Sequence, residues 1–477
     1  MTYSDISKLC VRMAWISPKE VLLQSNRKRY RYNTEKEHAM SKFEGINIQE
    51  SRRQFVKILA AAPLFANIGA RSFAATVTSA VKPTAKRSFS DNCYTKIGLR
   101  PLINGRGTWT YLAGSLPLPE TRQGLEEASH FFVDMFELQA AAGKQLAKLS
   151  GAESGMITSG SAGAMASAAA GCMAGSDPNH VWQLPDTTGL KGEIIITGGR
   201  SAFDSALRLT GAKLVVAKTI DDVPSALTSQ TAMVYTTWRD EERISKLLAV
   251  TKPAGVPVLL DDAAGIPPFS NFTRYSKMGI DLYCFSGGKG MCGPQCAGVL
   301  LGRKDLIDAA RYNSSPWEGA VCRPMKVGKE EIMGMLAAIN YWSTADLDAL
   351  NKEWSARVER IKKLVDTVPG VTSTIAIPEG GNSYPTLTVD WDEKAFGLTV
   401  AGCDQQLRAS EPRIEVLTDS NPSGVLARNR KNNEEESDLP GRRNHLQIIS
   451  MTLQPGEDLI VGNTLRQILN KARKQSS

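Results

Sequence analysis

Short apolar runs alternate with longer segments of helical periodicity through the middle of the chain. Seven runs are rich in β-branched and other apolar residues, at 155–159, 193–197, 213–217, 231–235, 256–261, 282–286 and 298–301. Strands that alternate with helices imply crossover connections and a mostly parallel sheet. Runs that are apolar throughout are typical of strands covered on both faces. We therefore predict a large α/β domain over residues 94–344.

The pattern changes on both sides of this alternation. Residues 120–149 place apolar side chains at helical spacing with charges between them, which predicts one or two amphipathic helices. Further helices and short strands are predicted at 329–342, 345–368, 385–389, 414–417, 445–450 and 457–472. The later part of this order predicts a separate, smaller α+β domain over residues 345–477. Apolar residues nearly vanish at 419–443, which indicates a mobile surface loop.

The sequence near the N-terminus is similar to an export signal. Residues 51–57 read Ser-Arg-Arg-Gln-Phe-Val-Lys, and an Ala-rich apolar stretch follows at 58–70, as in twin-arginine signals. Small residues predict cleavage after Ala74. The stretch is shorter than the roughly 20 residues of a transmembrane helix, so no stable membrane span is expected. We expect the twin-arginine machinery to deliver the protein to the periplasm; a chance helix here would leave it in the cytoplasm.

Three segments are assigned around this signal. Met40 is a plausible start, so the signal peptide is predicted over residues 40–75, and residues 1–39 are interpreted as a mis-assigned or disordered extension. Residues 76–93 are rich in Thr, Ser, Lys and Pro, which predicts a linker. The twin-arginine route exports folded proteins, so it suits an enzyme that takes up a cofactor before export.

Charge and cysteine content narrow the function classes. The formal net charge of +8 arises largely from the first ninety residues and from residues 428–443. No basic face with interleaved aromatic residues lies between them, so a nucleic-acid partner is not favoured. The eight cysteines form no C-x-x-C pairs and the four histidines are dispersed. We therefore predict neither a disulfide framework nor a metal site.

A first chemical motif follows the run at 155–159. Residues 158–164, Thr-Ser-Gly-Ser-Ala-Gly-Ala, leave a strand and open a helix of small residues. Free backbone N–H groups at a helix N-terminus can cradle a phosphate group. Gly-Ser turns before helices are common, so this motif alone leaves the kind of site open.

A second motif places two carboxylates at a strand end. The apolar run 258–260 is followed by Asp261 and Asp262. A carboxylate at a buried strand end is costly unless it meets a positive partner, and a protonated pyridine nitrogen is such a partner. A helix N-cap or a metal-binding acid is the alternative interpretation of these residues.

A third motif brings a lysine to the end of a strand. Residues 282–286 run into Gly287-Gly288-Lys289-Gly290. Desolvation lowers the pKa of a buried lysine, so that its neutral amine can attack an aldehyde. The flanking glycines allow a ring close to the backbone, and Ser286 can bind a phosphate. A nucleotide-binding P-loop is excluded, because the order Gly-x-x-x-x-Gly-Lys-Ser/Thr is absent.

The order of these motifs, together with the segments 98–104, 293–295 and 323–331, resembles the selenocysteine-synthase-like branch of fold-type I pyridoxal-5'-phosphate (PLP) enzymes. This branch includes L-seryl-tRNA(Sec) selenium transferase and D-glucosaminate-6-phosphate ammonia-lyase, and the resemblance covers residues 94–469. It implies a large PLP-binding domain of the aspartate-aminotransferase type with a smaller C-terminal domain. It also implies a homodimer or a larger homo-oligomer.

The resemblance assigns roles to individual residues. Lys289 would form the Schiff base with PLP, and Phe203 would stack on the cofactor ring. Asp261, rather than Asp262, would bind the pyridine nitrogen, because the family pattern has the acid first and an alanine two places on. The phosphate would be held by Ser159, Gly160, Ser161 and Ser286. Anchors for a substrate anion would be Arg323, Lys326, Asn104 and Arg413, each of which is equally compatible with a surface position.

These assignments predict a PLP-dependent lyase. With Lys289 as the base, α,β-elimination on a small amino acid or amino-sugar acid would release ammonia. Three alternatives stay open: selenium transfer to seryl-tRNA by β-replacement, transamination, and a binding or scaffold module that has lost catalysis. A periplasmic enzyme would not meet charged tRNA, which favours elimination over selenium transfer.

Overall fold

The structure is a computed structural model, which describes residues 88–378, 383–418 and 445–476. Residues 88–477 form one compact unit. Several predicted segments lie outside the described residues, namely the extension at 1–39, the signal peptide at 40–75, most of the linker at 76–93 and the loop at 419–443. Within the described ranges, no helix is long and apolar enough to cross a membrane.

A seven-stranded sheet forms the centre of the larger part of the molecule. Its strands are β2 (Ser154–Thr158), β3 (Glu193–Thr197), β4 (Lys213–Ala217), β5 (Thr231–Thr236), β6 (Val258–Asp261), β7 (Leu282–Ser286) and β8 (Gly298–Gly302). Their order across the sheet is β2-β8-β7-β6-β5-β3-β4. β8 runs antiparallel to both neighbours, and the other pairs are parallel. The prediction of an α/β fold with a mostly parallel sheet is confirmed.

This sheet separates two hydrophobic cores, and successive residues of a strand enter them in turn. In β6, Val258 and Leu260 belong to one core and Leu259 belongs to the other. In β7, Leu282 and Tyr283 divide in the same way. Both faces of each strand are therefore covered by apolar side chains, which explains why the runs are apolar throughout.

Helices contribute to both cores of the larger part. They are α1 (Pro119–Ser129), α2 (Met135–Ser150), α3 (Gly160–Ala174), α4 (Pro178–Gln183), α5 (Ser205–Arg208), α6 (Val223–Ala226), α7 (Glu241–Thr251), α8 (Asn271–Lys277), α9 (Lys304–Tyr312) and α10 (Lys329–Thr344). The helical segment predicted at 120–149 is therefore two helices. The second begins after Asp134, whose side chain accepts hydrogen bonds from two N–H groups of the first turn of α2.

α3 consists mainly of small residues, and most of them are buried. At its Gly171, a Cβ atom would lie 2.7 Å from the backbone nitrogen of Ala310 in α9. Small side chains therefore let the two helices approach closely. This packing fixes the N-terminus of α3 at the edge of the sheet where β2 ends.

The C-terminal part has its own sheet and its own core. Strands β9 (Val371–Ala376), β10 (Thr386–Trp391) and β12 (Leu446–Ile449) form an antiparallel sheet in the order β12-β10-β9. A third hydrophobic core lies among these strands and the helices α11 (Leu347–Val365), α12 (Glu393–Phe396), α13 (Val400–Ala409) and α14 (Glu457–Ser476). Strand β9 was not among the predicted elements.

A short strand from the N-terminal side joins this C-terminal part. β1 (Leu102–Gly105) pairs in parallel with β11 (Arg413–Val416), and Ile103 enters the third core. Residues 102–105 fall within the domain predicted over 94–344, yet they lie beside β11. The reason is that the apolar partners of Ile103, among them Ile414, belong to the C-terminal part.

Candidate active site

Five loops meet where the parallel strands of the large sheet end. Lys289 follows β7, Asp261 ends β6, Arg239 follows β5 and Phe203 follows β3. β2 runs in the same direction as these strands, so Gly160, which follows it, reaches the same edge. All five residues line one cavity of about 570 Å³. Ligands of open α/β sheets bind at this edge.

Lys289 lies on the cavity wall in a turn between glycines. Its backbone carbonyl accepts a 2.6 Å hydrogen bond from the Ser115 hydroxyl. The amine Nζ lies 5.8 Å from the centroid of the Phe203 ring. Burial lowers the pKa of Lys289; nearby Asp261 opposes this shift and Arg239 adds to it. At a given pH, more of the amine is therefore neutral than in a free lysine.

The carboxyl group of Asp261 is held by donors on three sides. Oδ2 accepts a 2.9 Å hydrogen bond from the Tyr235 hydroxyl, and Oδ1 accepts one of 3.0 Å from the N–H of Ala263. The thiol of Cys284 lies 3.6 Å from Oδ1. Burial raises the pKa of Tyr235, and the adjacent Asp261 acts in the same direction, so the phenol remains a donor. These contacts fix the carboxyl group on the wall that also carries Lys289.

The neighbouring Asp262 has different partners. Its side chain is fully buried. Oδ2 accepts a 2.7 Å hydrogen bond from the Tyr275 hydroxyl, and Oδ1 lies 2.5 Å from Nε of Arg239. Burial raises the pKa of Asp262, and Arg239 opposes this shift. Of the two adjacent carboxyl groups, Asp261 lines the cavity, whereas Asp262 lies behind Arg239.

The N-terminus of α3 forms a further wall of the cavity. The first N–H groups of a helix have no partner within it, and α3 has neither a side-chain cap nor an acidic residue in its first turn. Gly160 has a φ of +71°, and a Cβ atom on the facing Gly298 would lie 2.4 Å from its carbonyl carbon. Gly160, Ser161 and Ser286 line the cavity, whereas Ser159 does not. This wall suits a phosphate group.

The segment after β3 is held by a buried carboxylate. The side chain of Asp204 is 3% exposed and pairs with both Arg200 and Arg208. Arg200 and Phe203 line the cavity, and Phe203 is 65% exposed. An aromatic ring that is exposed in a cavity can stack on a flat ligand.

The residues of the cavity wall match the parts of PLP one by one. The Lys289 amine suits its aldehyde, the Asp261 carboxyl group suits its pyridine nitrogen, and the Phe203 ring suits its ring face. The uncapped start of α3, with Ser161 and Ser286, suits its phosphate. The side chains that line the cavity therefore fit this cofactor.

The cavity wall leaves out the four residues expected to anchor a substrate anion, which are Asn104, Arg323, Lys326 and Arg413. The Asn104 amide serves its own turn, because it donates a 3.0 Å hydrogen bond to the carbonyl of Gly107. Arg413 pairs with the buried Glu415. A single chain therefore does not bring these four residues to Lys289.

Tyr235 and Arg239 are among the residues of the site that had no role assigned from the sequence. Both lie at the end of β5 or just beyond it. Their position at a strand end was the available signal, but their partners Asp261 and Asp262 come from the next strand of the sheet. Sequence spacing does not reveal such contacts.

The chain is similar to several characterised proteins. A family model described as Aminotransferase class-V matches residues 206–390. The 5'-C-glycyluridine monooxygenase-decarboxylase of a Streptomyces species is 31% identical over 339 residues, which are 67% of this chain and 83% of that protein. The D-glucosaminate-6-phosphate ammonia lyase of Salmonella typhimurium is 24% identical and covers 68% of this chain and 88% of its own length. The L-seryl-tRNA(Sec) selenium transferase of Moorella thermoacetica is 24% identical, with coverage of 68% and 77%.

Solved structures share the fold. The structure of a D-glucosaminate-6-phosphate ammonia-lyase covers 80% of this chain and 99% of its own, with a TM-score of 0.66 and 22% identity. The match extends over both the large sheet and the C-terminal part, since 80% of this chain is more than the larger part alone contains.

Proposed function

The chain belongs to the selenocysteine-synthase-like branch of fold-type I PLP-dependent enzymes, and from that premise we propose that it is a lyase that releases ammonia by α,β-elimination. The family, the fold and the PLP cofactor expected from the sequence are confirmed by the relatives and the fold match. The relatives include lyases and transferases. The proposed substrate is a small amino acid or an amino-sugar acid.

One observation carries this proposal: the Lys289 amine and the Asp261 carboxyl group lie on one cavity wall that also includes the uncapped N-terminus of α3. When bound, PLP supplies an aldehyde for a substrate amine and a ring that withdraws electrons from the bonds at the neighbouring carbon. Asp261 would hold the ring nitrogen, and Gly160, Ser161 and Ser286 would hold the phosphate. Phe203 would cover the ring face and exclude water there.

Lys289 is placed to move protons. Because burial lowers the pKa of its amine, neutral Nζ is available to take a proton from the substrate carbon that carries the amine. The same nitrogen, once protonated, can give that proton to a departing hydroxyl group. Tyr235 and Ala263 keep the Asp261 carboxyl group in place during these transfers.

The polar lining of the cavity supports a hydroxylated substrate. Besides the residues assigned to the cofactor phosphate and to Asp261, its hydroxyl-bearing residues are Thr110, Thr197, Ser201, Ser205 and Thr237. Most ligand pockets are apolar and orient the ligand with a small number of polar groups. This cavity wall has more polar groups than such pockets usually have. A relative named D-glucosaminate-6-phosphate ammonia lyase favours elimination from an amino-sugar acid.

A product assay tests the proposal. The purified holoenzyme is incubated with a panel of amino acids and amino-sugar acids, and ammonia and 2-oxo acid are measured. We expect both products in equal amounts from at least one hydroxylated substrate. Lys289→Ala should abolish them, together with the visible absorbance of covalently held PLP, whereas Lys246→Ala, an exposed lysine of α7, should change neither. Absence of both products across the panel would contradict elimination.

The 31% identical relative favours a second candidate function. It is named as a monooxygenase-decarboxylase, so oxygen uptake and carbon dioxide release are measured with the same panel. Oxygen consumption that matches carbon dioxide release, without 2-oxo acid from elimination, would replace the lyase proposal by oxidative decarboxylation.

We also propose that the protein is exported by the twin-arginine route. The supporting motif at 51–57 lies outside the described residues, and its paired arginines are Arg52 and Arg53. Cell fractionation should find the wild-type protein in the periplasm, cut after Ala74. An Arg52→Lys, Arg53→Lys double variant should remain uncut in the cytoplasm. Cytoplasmic wild-type protein would contradict export.

Finally, we propose a homodimer or larger homo-oligomer. Exposed aromatic side chains within one short segment of the chain support it: Phe131 is 63% exposed, Phe132 is fully exposed and Phe136 is 48% exposed. Apolar surface of this kind is typical of protein interfaces. Sedimentation of the holoenzyme measures the assembly, and Phe132→Asp should weaken it. A monomer at all concentrations would contradict the proposal.

A further inference from the structure

Two arginines that follow neighbouring strands line the cavity, and each pairs with a buried carboxylate. Arg239 follows β5 and Arg200 follows β3, and these strands are hydrogen-bonded neighbours in the large sheet. Neighbouring strands lie about 4.8 Å apart. Both arginines line the cavity that contains Lys289. Their guanidinium groups can therefore address a single ligand.

Each guanidinium is held through its Nε atom. Arg239 Nε lies 2.5 Å from the fully buried Asp262 carboxylate, and Arg200 Nε pairs with Asp204, which is 3% exposed. The arginine side chains themselves are 35% and 31% exposed. An arginine has five N–H donors, so the terminal nitrogens of each remain for further bonds.

The carboxylates behind these arginines are costly to bury. A buried ion pair contributes little net stability, because desolvation offsets its attraction. Around Asp262, Tyr275 donates a 2.7 Å hydrogen bond, and a Cβ atom at Gly265 would lie 1.7 Å from Oδ2. The turn is thus shaped around a carboxylate whose other partner reaches the cavity. Such an arrangement fixes a cation where a ligand binds.

The arginines also lie apart from the wall assigned to the cofactor phosphate. That wall follows β2, at the opposite side of β7 and β6 from β5 and β3. An anion bound by Arg200 and Arg239 is therefore a different one from the anion at the start of α3. Arg239 and Lys289 line the same cavity, so an acid group bound by Arg239 belongs to the ligand that reaches the reacting amine.

We propose that Arg200 and Arg239 together bind an acid group of the substrate, a carboxylate or a phosphate, and so restrict the enzyme to anionic amines. Asp204 and Asp262 act as positioning residues for the two guanidinium groups. This inference deepens the proposed function and rests on it for the position of the reacting amine. It replaces Arg323, Lys326, Asn104 and Arg413 as the expected anchors.

Three amines of graded charge serve as probes of the holoenzyme. Ethanolamine lacks an acid group, L-serine carries a carboxylate, and O-phospho-L-serine adds a phosphate. Each is titrated while the visible absorbance of bound PLP is followed within the first seconds after mixing, which gives an apparent dissociation constant. The wild-type protein should bind at least one acidic probe more tightly than ethanolamine. Equal affinity for all three would overturn the inference.

Single variants then test the two arginines. Arg239→Gln and Arg200→Gln should each weaken the favoured acidic probe about ten- to hundredfold, as expected for one lost charged hydrogen bond, and leave ethanolamine unchanged. Loss of the advantage of serine over ethanolamine would identify the acid group as a carboxylate, and loss of the advantage of phosphoserine over serine would identify a phosphate. Variants that keep the wild-type preference, or that weaken ethanolamine equally, would overturn the inference.

Matched controls separate binding from folding. Arg208→Gln removes the other partner of Asp204 and does not touch the cavity wall, so it should keep the preference for acidic probes. Asp262→Asn retains the shape and the Tyr275 contact, and should weaken only the acidic probe. Arg239→Lys should restore part of the affinity lost in Arg239→Gln. PLP content and melting temperature of each variant are measured alongside.

The amine titrations and the product assay test the anion site and the lyase proposal separately. If no ammonia or 2-oxo acid appears but the glutamine variants lose their preference for acidic amines, the lyase proposal falls and the anion site stands. If products appear and the preference survives in both variants, the lyase stands and the anion site falls.

Discussion

Two buried ionic clusters in this chain have similar chemistry and different settings. In the cavity cluster, the fully buried Asp262 holds Arg239 beside Lys289. In the C-terminal cluster, the fully buried Glu415 of β11 pairs with Arg413 and Arg408. Arg239 and Arg413 are almost equally exposed, at 35% and 36%. Only Arg239 of these two lines the cavity, so partial exposure of a paired arginine does not by itself mark a binding site.

The number of charges around each carboxylate also differs. Glu415 meets two arginines directly, and Arg106, which donates a 2.9 Å hydrogen bond to the carbonyl of Val416, lies close enough to feel its charge. Asp262 meets one arginine and one phenol directly, and it also feels the charges of Lys289 and Asp261. The C-terminal cluster therefore joins β1 to β11 and α13, whereas the cavity cluster orients a single side chain.

The largest expected effect is the loss of stability in Glu415→Gln. Removal of one partner from a buried charge cluster costs about 3–5 kcal/mol, and here it leaves Arg413 without its carboxylate and Arg408 paired with Asp404. Urea unfolding of the holoenzyme measures this cost, with the exposed Glu411→Gln as the control. Dissociation constants for the amine probes should not change. A cost under about 1 kcal/mol would show that this cluster does not hold β1 and β11 together.

Asp262→Asn should cost less, about 1–3 kcal/mol. Arg239 reaches the cavity, so water can solvate its charge once the carboxylate is gone, and Tyr275 keeps a polar partner. The same urea titration gives the value, and the acidic probes report the displaced guanidinium. Equal costs for Asp262→Asn and Glu415→Gln would remove the distinction between the two clusters.

A smaller effect is expected for Tyr235→Phe. The change deletes the 2.9 Å hydrogen bond to Asp261 and keeps the ring in its core, so stability should fall by about 1 kcal/mol. Turnover should fall severalfold with little change in KM, because Asp261 is less firmly placed. Steady-state kinetics measure both parameters. A rise in KM at constant turnover would point to a role in substrate binding instead.

The smallest effect concerns pH and the cofactor-free protein. Burial lowers the pKa of Lys289 in the folded protein below its ordinary value of 10.5. At a pH between the folded and the ordinary pKa, the unfolded chain binds a proton that the folded chain does not. Stability from this group therefore rises as pH increases through that window, and is lowest below the folded pKa. In Lys289→Met the rise should disappear. Unfolding curves across alkaline pH measure it, and an unchanged slope would contradict the lowered pKa.

The strands of the large sheet could be predicted from the sequence because a strand that is buried on both faces is apolar throughout. Residues 258–260 are apolar throughout, since Leu259 faces one core and its neighbours face the other. The pattern of β9 is harder to recognise in the sequence. Its residues alternate between buried or half-buried and exposed positions, and three of them carry hydroxyl side chains. β1 is four residues long and pairs with a strand about three hundred residues away, which no local pattern reveals.

The same reasoning applies to the site. Lys289, Asp261 and the loop after β2 were predictable, because strand ends and glycines mark them in the sequence. The partnership of Arg239 with Asp262 was not, since it joins the ends of two different strands. Arg323 and Arg413 were among the anchors proposed from the sequence. Neither follows the end of a strand of the large sheet, and neither lines the cavity.

The pairing of β1 with β11 has a consequence for biosynthesis. Gly105 pairs with Val416, and Thr110, five residues further on, lines the cavity. The ribosome must therefore make residue 416 before this side of the cavity gains its support. Nascent chains arrested before residue 413 should retain less PLP than chains released at full length, which a pull-down of stalled ribosomes would measure. Cofactor capture would in that way report that translation has passed β11.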